Sequence, residues 1–223
     1  MLSKAQEKLI RSLQIKKARM GSGFLLLEGD NAILEAGKFV EFRFTPKDTS
    51  VFDELVTTET PQSVAAVARA PKWSEKDVFK RRVVVVLDHV QDPGNVGTIL
   101  RSAQAFGAGV VLVESADPTS PKVVRSTAGA VFHTPWIVVK SKDTTTLLAR
   151  AKRIVYRLEN RPGAVSLKKV KHEPMLIVVG SEGSGIISPI IGKSLVIEHQ
   201  ASLESLNVAV ATSIALYVIS TRT

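Results

Sequence analysis

Apolar residues in this chain come in short, β-branched runs separated by longer stretches of helical periodicity. The runs fall at 83–87, 109–113, 135–139, 154–158, 175–179 and 195–197, each the length of a buried strand. Between them, candidate helices lie near 95–106, 121–129, 143–152 and 205–220. A continuous apolar run predicts a strand covered on both faces, and alternation with helices predicts a parallel sheet in an α/β fold. The clearest unit spans 82–113. Val83 to Leu87 is a strand, Asp92-Pro93-Gly94-Asn95 supplies a turn, and Val96, Ile99, Leu100, Ala103 and Phe106 repeat at helical spacing. Gly107 and Gly109 then stop the helix before the run to Val113. Open α/β sheets bind ligands at such a polar turn, beyond the carboxyl end of a strand.

The first 80 residues follow a different pattern. Residues 3–19 read as a basic helix with Ala5, Leu9, Ile10 and Leu13 towards one side, and they run into the apolar stretch GSGFLLLEG. Residues 68–82, with Pro71, Trp73 and mixed charge, read as a connection between two parts.

Composition narrows the functional classes. Of 223 residues, 44% are apolar and 23% charged, as in soluble globular proteins. No apolar run reaches the length of a membrane span. Zero cysteines exclude disulfides and thiolate metal sites. His89, His133, His172 and His199 are scattered without ligand spacing, so no metal is expected. The net charge of +9 is uneven: residues 1–80 carry 13 Lys and Arg against 11 Asp and Glu, and residues 81–223 carry 17 against 10. Arg150, Lys152, Arg153, Arg157, Arg161, Lys168, Lys169 and Lys171 gather around one acid, Glu159. Such excess suits a polyanion such as RNA, a solvated helix face being the plainer alternative. Aromatics at 5% offer no evident platform for stacking bases.

Two further stretches change the picture. The run Met175 to Val179 leads into Gly180-Ser181-Glu182-Gly183-Ser184-Gly185, and the run ending at Ile197 leads through a polar loop into Ser205-Leu206-Asn207-Val208-Ala209-Val210-Ala211. With DPGNVGTILRSAQAFG before them, these resemble the three motifs of the SpoU (TrmH) family of RNA 2′-O-ribose methyltransferases, of the SPOUT class, over roughly residues 83–220. The opening helix, Glu28-Gly29 and the segment Leu55 to Val67 resemble that family's N-terminal RNA-binding domain, with a shorter middle, Asp30 to Glu54. The resemblance implies an α/β parallel-sheet SPOUT fold with a C-terminal trefoil knot, behind a small, shortened α+β domain. It divides the chain into 1–70, a linker at 71–82, and a methyltransferase domain at 83–223.

The same resemblance implies S-adenosylmethionine as cofactor, RNA as substrate with ribosomal RNA ahead of transfer RNA, and a homodimer with the active site near its interface. The implied compartment is cytoplasmic, with an organellar matrix as alternative. Asn95, Arg101, Glu182, Ser205 and Asn207 are the implied catalytic residues, and the backbone of Gly180, Ile197 and Leu206 would hold the adenosyl group. A guanidinium stays protonated, so Arg101 suits a target phosphate or a developing alkoxide better than general-base duty. Each residue also has a plain structural reading. Asn95 or Ser205 would cap a helix, Asn207 would sit in a helix's first turn, Arg101 would lie along the surface, and Glu182 would be a turn acid. The third motif departs from the family, whose Ile-Pro-Met is here Ile197-Glu198-His199, followed by Gln200-Ala201. The polar pair is expected to weaken cofactor binding. A catalytically silent RNA-binding or ribosome-assembly protein of the same fold is therefore the alternative function. A dinucleotide enzyme is disfavoured by the lack of G-x-G-x-x-G after a first strand.

Overall fold

The computed structural model describes residues 1–58, 60–171, 173–200 and 205–221; His172 and Ala201, named above, lie outside them. The chain forms two compact units, one of residues 1–72 with 117–133, the other of 73–116 with 134–223.

In the first unit, the predicted basic helix is two, α1 (Lys4–Ser12) and α2 (Lys16–Ser22). Ser3 caps α1 in a capping box with Gln6, and the extended backbone of Ile15 separates the two. Then come β1 (Phe24–Glu28), α3 (Asp30–Ala36), β2 (Val40–Phe44), α4 (Phe52–Leu55) and β3 (Ala65–Arg69), the strands forming an antiparallel sheet in the order β1-β3-β2. Ile10, Leu13, Leu26, Phe44, Phe52, Leu55 and Val67 make its core. The later helix α7 (Pro121–Thr127) belongs to this unit. Arg125 of α7 reaches the buried Glu28 carboxylate at 3.0 Å, and Asp117 pairs with the buried Arg19 at 2.7 Å. Gly129, at φ +91°, packs against the Glu35 side chain where a Cβ would not fit. The stretch 117–133 is thus joined to the N-terminal residues, although sequence order places it among the later strand and helix signals.

The second unit begins inside the stretch read as a linker. There α5 (Glu75–Phe79) buries Val78, whose carbonyl lies where a Cβ of Gly109 would fall. Next come β4 (Val83–Asp88), α6 (Pro93–Ala105), β5 (Gly109–Val113), β6 (Trp136–Val139), α8 (Ser141–Arg150), β7 (Ile154–Leu158), β8 (Val165–Ser166), β9 (Met175–Gly180), β10 (Lys193–Val196) and α9 (Val208–Ser220). All seven strands run parallel in the order β6-β5-β4-β9-β7-β10-β8. The six predicted strands are present, and the two-residue β8 is too short to show as an apolar run. β4 and β5 are buried throughout, as their unbroken valine runs require. From β4 the chain crosses to β5 on one side, whereas β9 lies on the other. The gap beyond the ends of β4 and β9 is the place where this topology puts a ligand.

Candidate functional site

Three segments meet beyond those strand ends. Asp92 caps α6 by accepting the Asn95 N–H at 2.7 Å, with Pro93 pre-set for the first turn. Asn95 therefore does not cap the helix, and its side chain is available. At the other helix Asn207, not Ser205, caps α9, its Oδ1 accepting the N–H groups of Ala209 and Val210 at 3.0 and 3.2 Å, and Ser205 precedes the helix. Between them stands Glu182, on the loop after β9. Its Oε1 accepts Asn95 Nδ2 and Asn207 Nδ2, both at 2.8 Å, and Asn207 Nδ2 also donates to Asn95 Oδ1 at 3.0 Å. Two amides and one carboxylate, one from each motif, form a closed triangle. Asn207 spends both amide hydrogens within it and its oxygen on the α9 cap. Asn95 keeps one N–H, and Glu182 keeps Oε2, for a ligand.

Arg101 and Ser205 stand outside this triangle. Arg101, six residues after Asn95 and so about 120° away from it around α6, is exposed; among the described residues it has no hydrogen bond or ion pair. Ser205 instead lines two adjoining clefts with Leu206. One is walled by Leu158, Leu195 and Ile197, with Glu159, Asn160 and His199 at its polar side. The other, of about 280 Å³, is bounded by Gly180, Glu182 and Gly185. Gly180 thus borders the second cleft, Ile197 the first, and Leu206 both. Apolar walls with a few polar groups in a volume of this order suit a nucleoside-sized ligand. Gly180 lacks a side chain for another reason than close approach of a ligand. A Cβ there would fall 2.0 Å from the backbone of Gly185, so the loop itself fills the space.

The departure in the third motif is also resolved. Glu198 pairs with Lys168 at 2.8 Å; hydrogen bonds from Lys168 first, then Ser166, hold its carboxyl below the usual range. Its charge is spent there and does not line either cleft. His199 donates Nδ1–H to the Ile197 carbonyl at 2.8 Å, bracing the backbone where the family has proline. The basic cluster divides by burial, with Arg150 and Arg161 exposed and Arg153 and Arg157 half-buried. Arg153 donates to the carbonyls of Phe79, Arg81 and Arg82, and burial lowers its pKa. Arg157 bonds the Ile190 carbonyl and Glu159. These two arginines are structural, whereas Lys152, Lys169 and Lys171 are exposed.

Sequence reasoning passed over Asp88 and Ser188. Asp88 is fully buried at the end of β4 and accepts hydrogen bonds from Ile187 N, Ser188 N and Ser188 Oγ at 2.7, 2.9 and 2.5 Å. The one available signal was an acid closing an otherwise apolar strand. Among the described residues, no group of three or more His, Asp or Glu is placed to hold a metal, and no helix is long and apolar enough to cross a membrane.

A parallel sheet carrying a cleft beside an amide–carboxylate cluster at its carboxyl edge defines an α/β protein with a ligand site at its topological switch point. The chain belongs to the SpoU rRNA methylase family, whose model matches residues 82–217. It is 31% identical to the 23S rRNA (guanosine(2553)-2′-O)-methyltransferase RlmP of Bacillus subtilis, over 93% of this chain and 92% of that one. An AdoMet-bound rRNA methyltransferase from Sinorhizobium meliloti superposes with a TM-score of 0.84 at 26% identity, covering 98% of this chain and 96% of the other. An RNA methyltransferase of the TrmH family from Porphyromonas gingivalis, so described in its structure as putative, also gives 0.84, at 33% identity over 98% of both chains. The fold is accordingly that of the SPOUT methyltransferases, and the cofactor is S-adenosylmethionine.

Proposed function

We propose that this protein methylates a ribose 2′-hydroxyl of ribosomal RNA, with Asn95, Glu182 and Asn207 ordering the reacting groups. When bound, S-adenosylmethionine supplies an electrophilic methyl. A ribose hydroxyl is a weak nucleophile, so most of the task is alignment, and proton removal comes second. Glu182 fixes both amides, and its free Oε2, with the remaining N–H of Asn95, is directed to polar ligand atoms. Gly180, Ile197 and Leu206 border the adenosyl cleft with their backbone, and Ser205 reaches it from the α9 side. Arg101 serves as a phosphate or alkoxide ligand, a task for which a planar cation suits better than a base.

The unpaired position of Arg101 supports a homodimer with the site near the interface. Val210, Ile214 and Tyr217 form an exposed apolar stripe on α9, beside α6, joined to it by the contacts Ser102–Ser213 and Phe106–Tyr217. Such a stripe on one helix face is suited to a second copy. Membership of the family supports a trefoil knot in the last segment, and a cytoplasmic location fits a ribosomal RNA substrate.

One observation carries the reading: three residues far apart in sequence close on one another beside the cleft. Calorimetry with S-adenosylmethionine, followed by transfer of labelled methyl to ribosomal RNA, is the test. Binding with transfer is the expected result. Binding of RNA without either would instead favour the silent relative.

A further inference from the structure

The loop carrying Glu182 is exposed, yet Glu182 is fixed by two amides from other segments, so something must hold its backbone. The backbone from Gly180 to Ser188 is held at both ends, and Asp88 is at each. In the sheet, Asp88 pairs in register with Gly180. Beyond it, Ser181 and Gly185 exchange two backbone hydrogen bonds, of 3.1 and 2.9 Å, closing the turn that bears Glu182. The returning segment then meets the Asp88 side chain, whose Oδ2 takes both Ile187 N and Ser188 N, and whose Oδ1 takes Ser188 Oγ.

Asp88 has no exposed surface, and among the described residues no Lys or Arg pairs with it. Its neighbour His89 places Nδ1 2.9 Å from Oδ1, and the His89 Nε2 faces Ser141 Oγ at 3.5 Å. Burial alone would raise the pKa of this carboxyl, but the hydrogen bonds led by Ser188 outweigh it and hold it below the usual value. A buried carboxylate satisfied chiefly by one returning loop is a costly group to keep for packing alone. Its donors belong to the loop that delivers Glu182.

We infer that Asp88, with Ser188, is a positioning residue for methyl transfer: it never meets substrate, and it sets the place of Glu182 through the backbone of residues 181–188. This rests on the function proposed above.

The test uses the full chain with Asp88→Asn, Ser188→Ala, Glu182→Gln and the Asp88→Asn/Glu182→Gln double variant. Asn keeps the shape and one acceptor oxygen but loses the charge and the second. Asp88→Asn is expected to lower kcat on the order of 10- to 100-fold, since small misplacements of reacting groups have effects of that size. Ser188→Ala should lower it less. The double variant should be no slower than Glu182→Gln alone, because Asp88 acts through Glu182. Amide exchange at Ile187 and Ser188 should accelerate in Asp88→Asn, a readout independent of turnover. Wild-type kcat in Asp88→Asn, a double variant slowed by the product of the single effects, or unchanged exchange would each overturn the inference. Should Asp88→Asn fail to fold, Ser188→Ala takes its place in the same cycle with the same criteria. A wild type that transfers no methyl yet has protected Ile187 and Ser188 amides would count against the function and leave the loop anchor standing.

Discussion

Asn207 does two things that substitution can separate. Its oxygen caps α9 and its amide hydrogens join Glu182 to Asn95. Replacing it with Ala should cost about 0.5–2 kcal/mol of stability through the lost cap. Asn207→Asp keeps the cap but sets a second carboxylate beside Glu182. Its melting temperature should stay near that of wild type while methyl transfer falls as far as in the Ala variant; recovery of transfer in the Asp variant would remove the amide from the mechanism. Arg101→Ala should abolish transfer with cofactor affinity nearly unchanged, as calorimetry would register, and Arg101→Lys should recover little because a point charge does not reproduce the planar fork. At this scale the residue types were legible in the sequence and their local roles were not. Asn95 and Ser205 read as caps because Asn and Ser often are, but Asp92 and Asn207 hold those positions. A one-turn shift in a helix start decides which side chain is left free.

At the scale of elements, the strands and helices of the second unit followed from unbroken apolar runs and helical spacing. The exceptions have physical causes. The opening basic helix breaks at Ile15, which has extended backbone and an exposed side chain, and β8 is held by pairing with β10 rather than by its own apolarity. The basic cluster misled most, since a list of charges does not separate an arginine bound to carbonyls from an exposed lysine. Reversing Lys152, Lys169 and Lys171 should therefore flatten the dependence of log RNA affinity on log salt by up to about one unit per lost phosphate contact. Reversing Arg153 should instead destabilise the fold, and the two effects separate in a melting curve. The Asp88 anchor carries its own pH signature. Its folded pKa lies below the ordinary aspartate value of about 3.9, so its contribution is complete above that value and is lost as pH falls through the lower folded one. Asp88→Asn should lower stability at neutral pH, and the gap to wild type should narrow below about pH 4, as acid titrations of both would measure.

For the whole molecule, the division between the units was the least legible feature. Residues 117–133 return to the N-terminal residues through Arg125–Glu28 and Asp117–Arg19, partners nearly a hundred positions apart that no local pattern announces. The placing of three motifs at one sheet edge was legible as a resemblance, and its geometry became visible only once β4 and β9 were seen as neighbours. The apolar stripe of Val210, Ile214 and Tyr217 points to assembly, so light scattering should give the mass of two chains, and Ile214→Glu with Tyr217→Glu should give one. The central claim, ribose methylation of ribosomal RNA organised by the Asn95–Glu182–Asn207 triangle, is tested most directly by mapping 2′-O-methylation across total RNA. Cells with and without this gene should differ at a ribosomal RNA ribose, the mark returning with the wild-type chain and not with Glu182→Gln. Identical maps, or a mark restored in full by Glu182→Gln, would contradict it.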